Sequence, residues 1–368
     1  MKTKYVIVIW LVSLCIIGVF LSLHRKQRRL VVVSCTVSIH AAGLEYNRTL
    51  PEETVLSLPR VLAQWQATRE SPGPAQYTVS LRLSDGSRSE VQFSAGGQVV
   101  NCFGLLPDRD ALWALVMSIS KEYFGEPVSW RDALRLFTKK SVAQVVDLQT
   151  GKRFSVRRYG GSYHADVEPV TAPDAAVLFE IYGGWSWRRR PILLLIDGRR
   201  IAASMNGMPH GDQDIMKNDF PGHFCIHFDG STTHGSRLHD IAHQAMVDKA
   251  AGTLLLRLER AGPREVAELY LALINEKDTG TLRLLCTSAS LDWLTANVDY
   301  LRVLGLGEPV ETEEGVNITA DVLVRFEKGG SSRRTKLPVI LGLTPGGRWV
   351  VKRDPIRQLW EQENRTRL

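Results

Sequence analysis

The pattern of apolar and polar positions divides the chain before any chemistry is considered. Tyr5 to Leu23 is an almost unbroken apolar run of nineteen residues, long enough to cross a bilayer as a helix. Lys2 and Lys4 precede it. His24-Arg25-Lys26-Gln27-Arg28-Arg29 follows with no small-x-small cleavage site, which predicts an uncleaved anchor rather than a removable signal peptide. Leu30 to Ile39 is rich in β-branched residues and reads as a strand. Pro51-Glu52-Glu53-Thr54 opens an amphipathic helical run ending near Gln66, and Ser71 to Pro74 is a turn. Tyr77 to Leu83 and Ser89 to Phe93 alternate around Ser84-Asp85-Gly86-Ser87, a hairpin signal, and Asp108 to Tyr123 carries helical spacing.

A second block begins after Gly125-Glu126-Pro127. Ser129 is an N-cap for a short helix, and Val142 to Leu148 with Arg153 to Arg158 forms a hairpin. Pro173 to Tyr182 is helical. Pro191 to Ile196 and Arg200 to Ser204 pair through Asp197-Gly198. A third block opens at Ala261-Gly262-Pro263. Its helix, turn and helix over Arg264 to Thr287 precede strands at Val316 to Phe326, Lys336 to Leu343 and Arg348 to Arg353. The expected organisation is an anchor with basic flank (1–29), a small α+β domain (30–125), a mainly β domain (126–258), an α+β domain (259–356) and a tail (357–368).

Composition adds one constraint. With 44% hydrophobic and 23% charged residues the body is ordinary globular protein, and the net charge of +7 suits anionic surroundings such as a membrane surface or wall polymers. The charges are scattered with no basic-aromatic module, which argues against a nucleic-acid partner. Four Lys/Arg follow the apolar run and two precede it, so loop charge alone favours a cytoplasmic body. Of five cysteines, Cys15 lies in the run and Cys286 in an apolar helical stretch, while Cys35 and Cys102 can pair only if their segments are sheet neighbours.

The chemistry gathers in His210 to Phe228, where three histidines, one cysteine and two glycines fall within nineteen residues. On an extended segment His223, Cys225 and His227 share a face. An imidazole beside a thiol takes its proton or, once charged, lowers its pKa, so a thiol nucleophile is the leading reading. Zinc ligation is its rival and a buried structural cysteine is third. His164, Asp166 and Glu168 alternate within Gly160 to Pro169, as metal ligands or as a solvated loop edge. Trp185 and Trp187 beside Arg188, Arg189 and Arg190 suggest a groove for sugar faces and carboxylates, with the tryptophans packed on a sheet and the arginines solvated as the alternative. His239 and His243 have HxxxH spacing, but the glutamate of a zinc peptidase helix is missing.

These residues resemble the active-site signature of the L,D-transpeptidases, which cross-link bacterial cell-wall peptides. His210-Gly211 matches the first element. Gly222-His223-Phe224-Cys225-Ile226-His227 matches the second, with Gly222 for Ser, Phe224 for Gly and His227 for Arg. The third block resembles the NTF2-like cone by pattern. The apolar run and the strand and helix patterns predict an α+β multidomain protein with an N-terminal transmembrane helix at the cell membrane, and the resemblance implies that its body lies outside. It implies thioester chemistry on peptidoglycan stem peptides: Cys225 as nucleophile, His223 as base, His210 as orienting group, and His227, Trp185, Trp187 and Arg188 toward substrate. No cofactor is needed. The rivals are a zinc-dependent wall peptidase using His164, Asp166 and His210, and a non-catalytic envelope-binding or assembly protein.

Overall fold

A computed structural model describes residues 30–58, 75–101, 108–235, 237–287, 291–326 and 330–365. The expected anchor, the end of the run toward Gln66, the turn at Ser71 to Pro74, and Cys102 lie outside them. Among the described residues no helix is long and apolar enough to cross a membrane. The fold class is therefore corrected to an α+β body built on three sheets, and the described residues contribute no membrane-spanning helix to the expected single-pass placement.

The first unit holds β1 (Val32–Ala41), β2 (Leu44–Thr49), α1 (Glu52–Ser57), β3 (Tyr77–Leu83), β4 (Arg88–Phe93) and α2 (Arg109–Tyr123). Its sheet runs β2-β1-β3-β4, all antiparallel. Strict alternation in β1 sends Cys35, Val37 and Ile39 into a core closed by Leu112, Val116 and Ile119 of α2. Leu44 to Thr49 lacks the alternation of a half-buried strand and was not expected as one. It pairs because Ala42 and Gly43, both at positive φ, close a tight hairpin from β1. Cys35 is a buried free thiol, pushed up to about 12 by burial.

The second unit contains β5 (Glu126–Pro127), α3 (Trp130–Leu136), β6 (Val142–Asp147), β7 (Arg153–Gly160), β8 (Ala165–Pro169), α4 (Ala172–Tyr182), β9 (Ser186–Ile196), β10 (Arg199–Gly207), β11 (Phe224–His227), α5 (Ile241–Ala251) and α6 (Leu254–Arg260). The sheet runs β11-β8-β7-β6-β9-β10-β5, and β10 also pairs with β11, closing it into a barrel. Val145, Val156, Val167, Ile192, Leu194, Ile201, Phe224 and Ile226 share its core. On β11 the alternation decides what faces inward. Burying Phe224 and Ile226 favours this register by roughly 1.5–3 kcal/mol each, and a one-residue slip would turn Cys225 and His227 into the apolar core instead.

The third unit has α7 (Pro263–Ile274), α8 (Thr279–Leu285), α9 (Leu291–Asn297), β12 (Tyr300–Leu306), β13 (Val310–Thr312), β14 (Gly315–Arg325), β15 (Arg333–Leu343), β16 (Trp349–Val351) and α10 (Pro355–Arg365). Its antiparallel sheet, β12-β14-β15-β16 with β13 on β14, packs against the helices over Leu269, Tyr270, Leu273, Ile318, Val322 and Val339. Helix α5 joins the second unit to the third. It lies along β9 and β10, while Ala242, Ala245 and Met246 belong to the third unit's core. Buried ion pairs fasten the joint: Lys249 Nζ to Asp278 at 2.7 Å, and Arg189 to Asp240 at 2.6 Å and Glu276 at 3.1 Å. Arg190 grips Asp147 through Nε at 2.9 Å and Nη2 at 2.7 Å. Arg189 and Arg190 are thus interior clamps rather than solvated charges. A guanidinium so placed offsets its desolvation only by meeting carboxylates, and here it meets them.

Candidate active site

Strand β11 sits between β8 and β10 on the barrel wall, so its outward side chains meet those of both neighbours. Cys225 lies opposite Asp166 of β8, and His227 opposite Ser204 of β10. The loop before β11 folds back on itself: the backbones of His210 and His223 exchange two hydrogen bonds, 3.0 and 2.9 Å. Two glycines allow this closeness. A Cβ on Gly222, at φ +117°, would meet the His210 carbonyl oxygen at 2.5 Å, and one on Gly211, at φ +63°, would meet the His223 ring at 2.5 Å.

The fold-back delivers His210 to the thiol. Its Nε2 is 3.4 Å from Cys225 Sγ, and its Nδ1 is 2.8 Å from the Met208 carbonyl oxygen. A carbonyl only accepts, so Nδ1 carries a proton and Nε2 is the nitrogen that exchanges one with sulfur. His223, the residue expected to be the base, is turned elsewhere. Its Nδ1 donates to the Asp212 carbonyl at 2.7 Å, its ring stacks on Tyr159 at 5.2 Å, and its Nε2 is 3.9 Å from Asp166 Oδ1. The structure thus places His210 on the sulfur and His223 behind it, 4.6 Å away ring to ring.

Cys225 is only 5% exposed. Burial pushes its thiol up, but the adjacent His164 and His210 rings outweigh that and hold it below the ordinary 9.0. His210 is raised chiefly by its hydrogen bond to Cys225. Both shifts run in the direction of thiolate and imidazolium.

His164, Asp166 and Glu168 do not form a solvated loop edge. They are 2%, 6% and 0% exposed, because β8 lies between β7 and β11 under the loop from Gly211 to Pro221. Glu168 holds that loop, accepting from the Ile215 backbone N–H at 3.0 Å and pairing with Arg157 at 3.1 Å. His164 Nδ1 donates to the Thr232 carbonyl at 2.8 Å, and its Nε2 lies 3.3 Å from Asp166 Oδ1 without hydrogen-bond geometry. Burial pushes the His164 imidazole down, yet Asp166 and Cys225 outweigh it and lift it to about 10. Burial likewise opposes the ionised Asp166, and His164 and His234 overcome it, holding the carboxyl at about 2. His234, from the loop after β11, also reaches the carboxylate, with Nε2 3.2 Å from Asp166 Oδ1.

His227 lies flat between His164, at 4.3 Å, and His243, at 3.7 Å. Burial and the two neighbouring rings hold it well below its ordinary range, so it stays neutral and does not offer a substrate carboxylate a cation. His243 Nδ1 meets Ser204 Oγ at 2.8 Å. Its proposed partner His239 precedes the N-cap Asp240 of α5, so the two share no helix face. Of the suggested substrate groove, Trp187 is 53% exposed and its ring stands 4.9 Å from that of His210, at the mouth of the site. Trp185 instead packs edge-on against Phe179 and Phe220. The Arg188 guanidinium is tied to the Tyr182 carbonyl and the Ser186 hydroxyl. Phe224, where glycine was expected, points into the barrel beside Phe154 and Phe220 and is not among the residues at positive φ. Nothing in the local backbone demands a glycine there.

No family model matches the chain, and no curated protein matches it.

Proposed function

We propose that the protein is a cysteine acyltransferase of L,D-transpeptidase type, acting on cell-wall stem peptides through a thioester on Cys225. The observation that carries this reading is the 3.4 Å approach of His210 Nε2 to Cys225 Sγ, with the other ring nitrogen committed to the Met208 carbonyl. The Sγ–carbon bond forms as the Cys225 thiolate attacks the carbonyl between the diamino acid and the terminal D-alanine of the donor. The carbon–nitrogen bond then breaks, and His210 Nε2 gives its proton to the departing amine of D-alanine. An acceptor amine attacks the thioester and His210 takes back the amine proton. The new amide forms, and sulfur leaves as thiolate. The base role falls to His210 in this scheme, with His223 supporting the loop that carries it. Exposed Trp187 beside His210 offers the donor peptide a face to lie on.

The test is direct. The purified protein is incubated with wall tetrapeptide fragments and analysed by mass spectrometry. The expected result is an adduct on Cys225 equal to the donor less D-alanine, absent from Cys225→Ala. Release of D-alanine by Cys225→Ala at the parent rate would end the proposal.

A further inference from the structure

Beside the thiol lies a second arrangement that the acyl-transfer scheme does not use. Asp166 Oδ1 is approached by two imidazole nitrogens at once, His164 Nε2 at 3.3 Å and His234 Nε2 at 3.2 Å. His164 Nε2 is buried and makes no hydrogen bond. Its other nitrogen is held by the Thr232 carbonyl, which fixes the ring and the direction in which Nε2 offers its lone pair once an ion displaces its proton. A buried ring nitrogen 3.3 Å from a carboxylate oxygen, with no neighbour in hydrogen-bond geometry, calls for a ligand.

The spacing names the class of ligand. Nitrogen and oxygen ligands about 2.05 Å from a tetrahedral ion stand roughly 3.3 Å apart, which is the separation of Asp166 Oδ1 from each ring nitrogen. The ring planes of His164 and His234 are inclined at 68°, so their lone pairs can converge on one point. Two imidazoles and a carboxylate form a ligand set for zinc and related divalent ions, with the remaining positions left to water or substrate. His234 is exposed, which leaves a path for entry.

A neighbouring set, His164 with Cys225 and His227, also brings its donor atoms within 4.8 Å of one another. Its rings argue against it. His164 and His227 are stacked within 15° of parallel, and an ion lies near the plane of each imidazole that binds it. Two parallel planes cannot both contain the ion, and His227 cannot turn because His243 lies 3.7 Å below it.

We propose that His164 Nε2, Asp166 Oδ1 and His234 Nε2 form a binding site for a single divalent ion of the zinc class, next to Cys225. The inference goes beyond the acyl-transfer reading and does not depend on it, because binding is measured without substrate. His210, turned to the sulfur, is not a ligand.

The test titrates zinc chloride against the purified full chain in competition with a chromophoric chelator. One equivalent is expected for the parent protein. His234→Ala removes an exposed side chain and should weaken binding at least tenfold, while His210→Ala and Cys225→Ser keep the parent affinity. Asp166→Asn should weaken it too, with circular dichroism confirming that the variant folds. Failure of the parent to bind an equivalent would overturn the site. So would parent affinity in His234→Ala, or loss in Cys225→Ser with none in His234→Ala, which would put the ion in the stacked set. Since the acyl adduct on Cys225 is read separately in chelator-treated protein, the two proposals fail independently.

Discussion

The outer wall of the barrel and the interior of the third unit are both buried, but they are built from opposite materials. Around β8 and β11 the buried set includes His164, Asp166, Glu168, Ser204, His223, Cys225, His227 and His243. The third unit's core is a continuous apolar cluster, and the Tyr270 hydroxyl meets Asp354 at 3.0 Å within it. Burying a polar group without a good partner costs about 1–3 kcal/mol, so a wall this polar is held together at the expense of stability. Such concentrations of perturbed titratable groups mark sites of chemistry more often than sites of packing. The difference teaches where to look: the wall for function, the third unit for stability.

The sharpest way to break that division is to remove one group from each region. Replacing His210 with Ala should slow formation of the Cys225 acyl adduct by about 10²–10⁴-fold, read by quenched mass spectrometry, while the urea midpoint changes little. An equal fall in stability would make His210 a packing residue. In the third unit, Leu269→Ala empties a fully buried site and should cost about 2–5 kcal/mol in urea unfolding. Under folded conditions it should leave the rate of Cys225 alkylation near that of the parent. A matching loss of reactivity would show that the two regions are not independent.

The joint between the regions gives a prediction about pH. Burial raises the Glu276 carboxyl from its ordinary 4.5 to about 7, although Arg189 opposes the shift. A carboxyl raised by folding binds its proton more tightly in the native state. Its contribution to stability is therefore full below pH 4.5 and lost as pH rises through 7. Urea midpoints of the parent should fall over that window relative to those of Glu276→Gln, which has no proton to lose there. Parallel curves for the two proteins would refute the assignment. The smallest expected effect on stability is at Trp187. Trp187→Ala should move the unfolding free energy by no more than about 0.5 kcal/mol, yet raise KM for the tetrapeptide donor. An unchanged KM would remove Trp187 from the binding surface.

Much of the scaffold is written locally. The alternation of Cys35, Val37 and Ile39, the turn between Leu83 and Arg88, and the Asp197-Gly198 hairpin each depend on neighbours in the chain, and each strand pair forms. The same period put Cys225 and His227 on one face of β11 and sent Phe224 inward, where it packs in the barrel core. Periodicity specifies a face, however, and not what stands opposite it. Fifteen residues separate His210 from Cys225, and only the paired backbones of His210 and His223 bring that ring to the sulfur. His164 and His234 are 70 positions apart (234 − 164) and converge on Asp166 because β8 lies beside β11. Arg189 and Arg190 looked solvated because their carboxylates, Asp240, Glu276 and Asp147, lie 43 or more residues away. The chain alone determined strands, turns and the face that Cys225 shares with His227, since these follow from contacts a few residues apart. The tertiary structure decided which imidazole serves the thiol, which face a second ligand, and which charges are buried, since each needs closure of a barrel between distant strands.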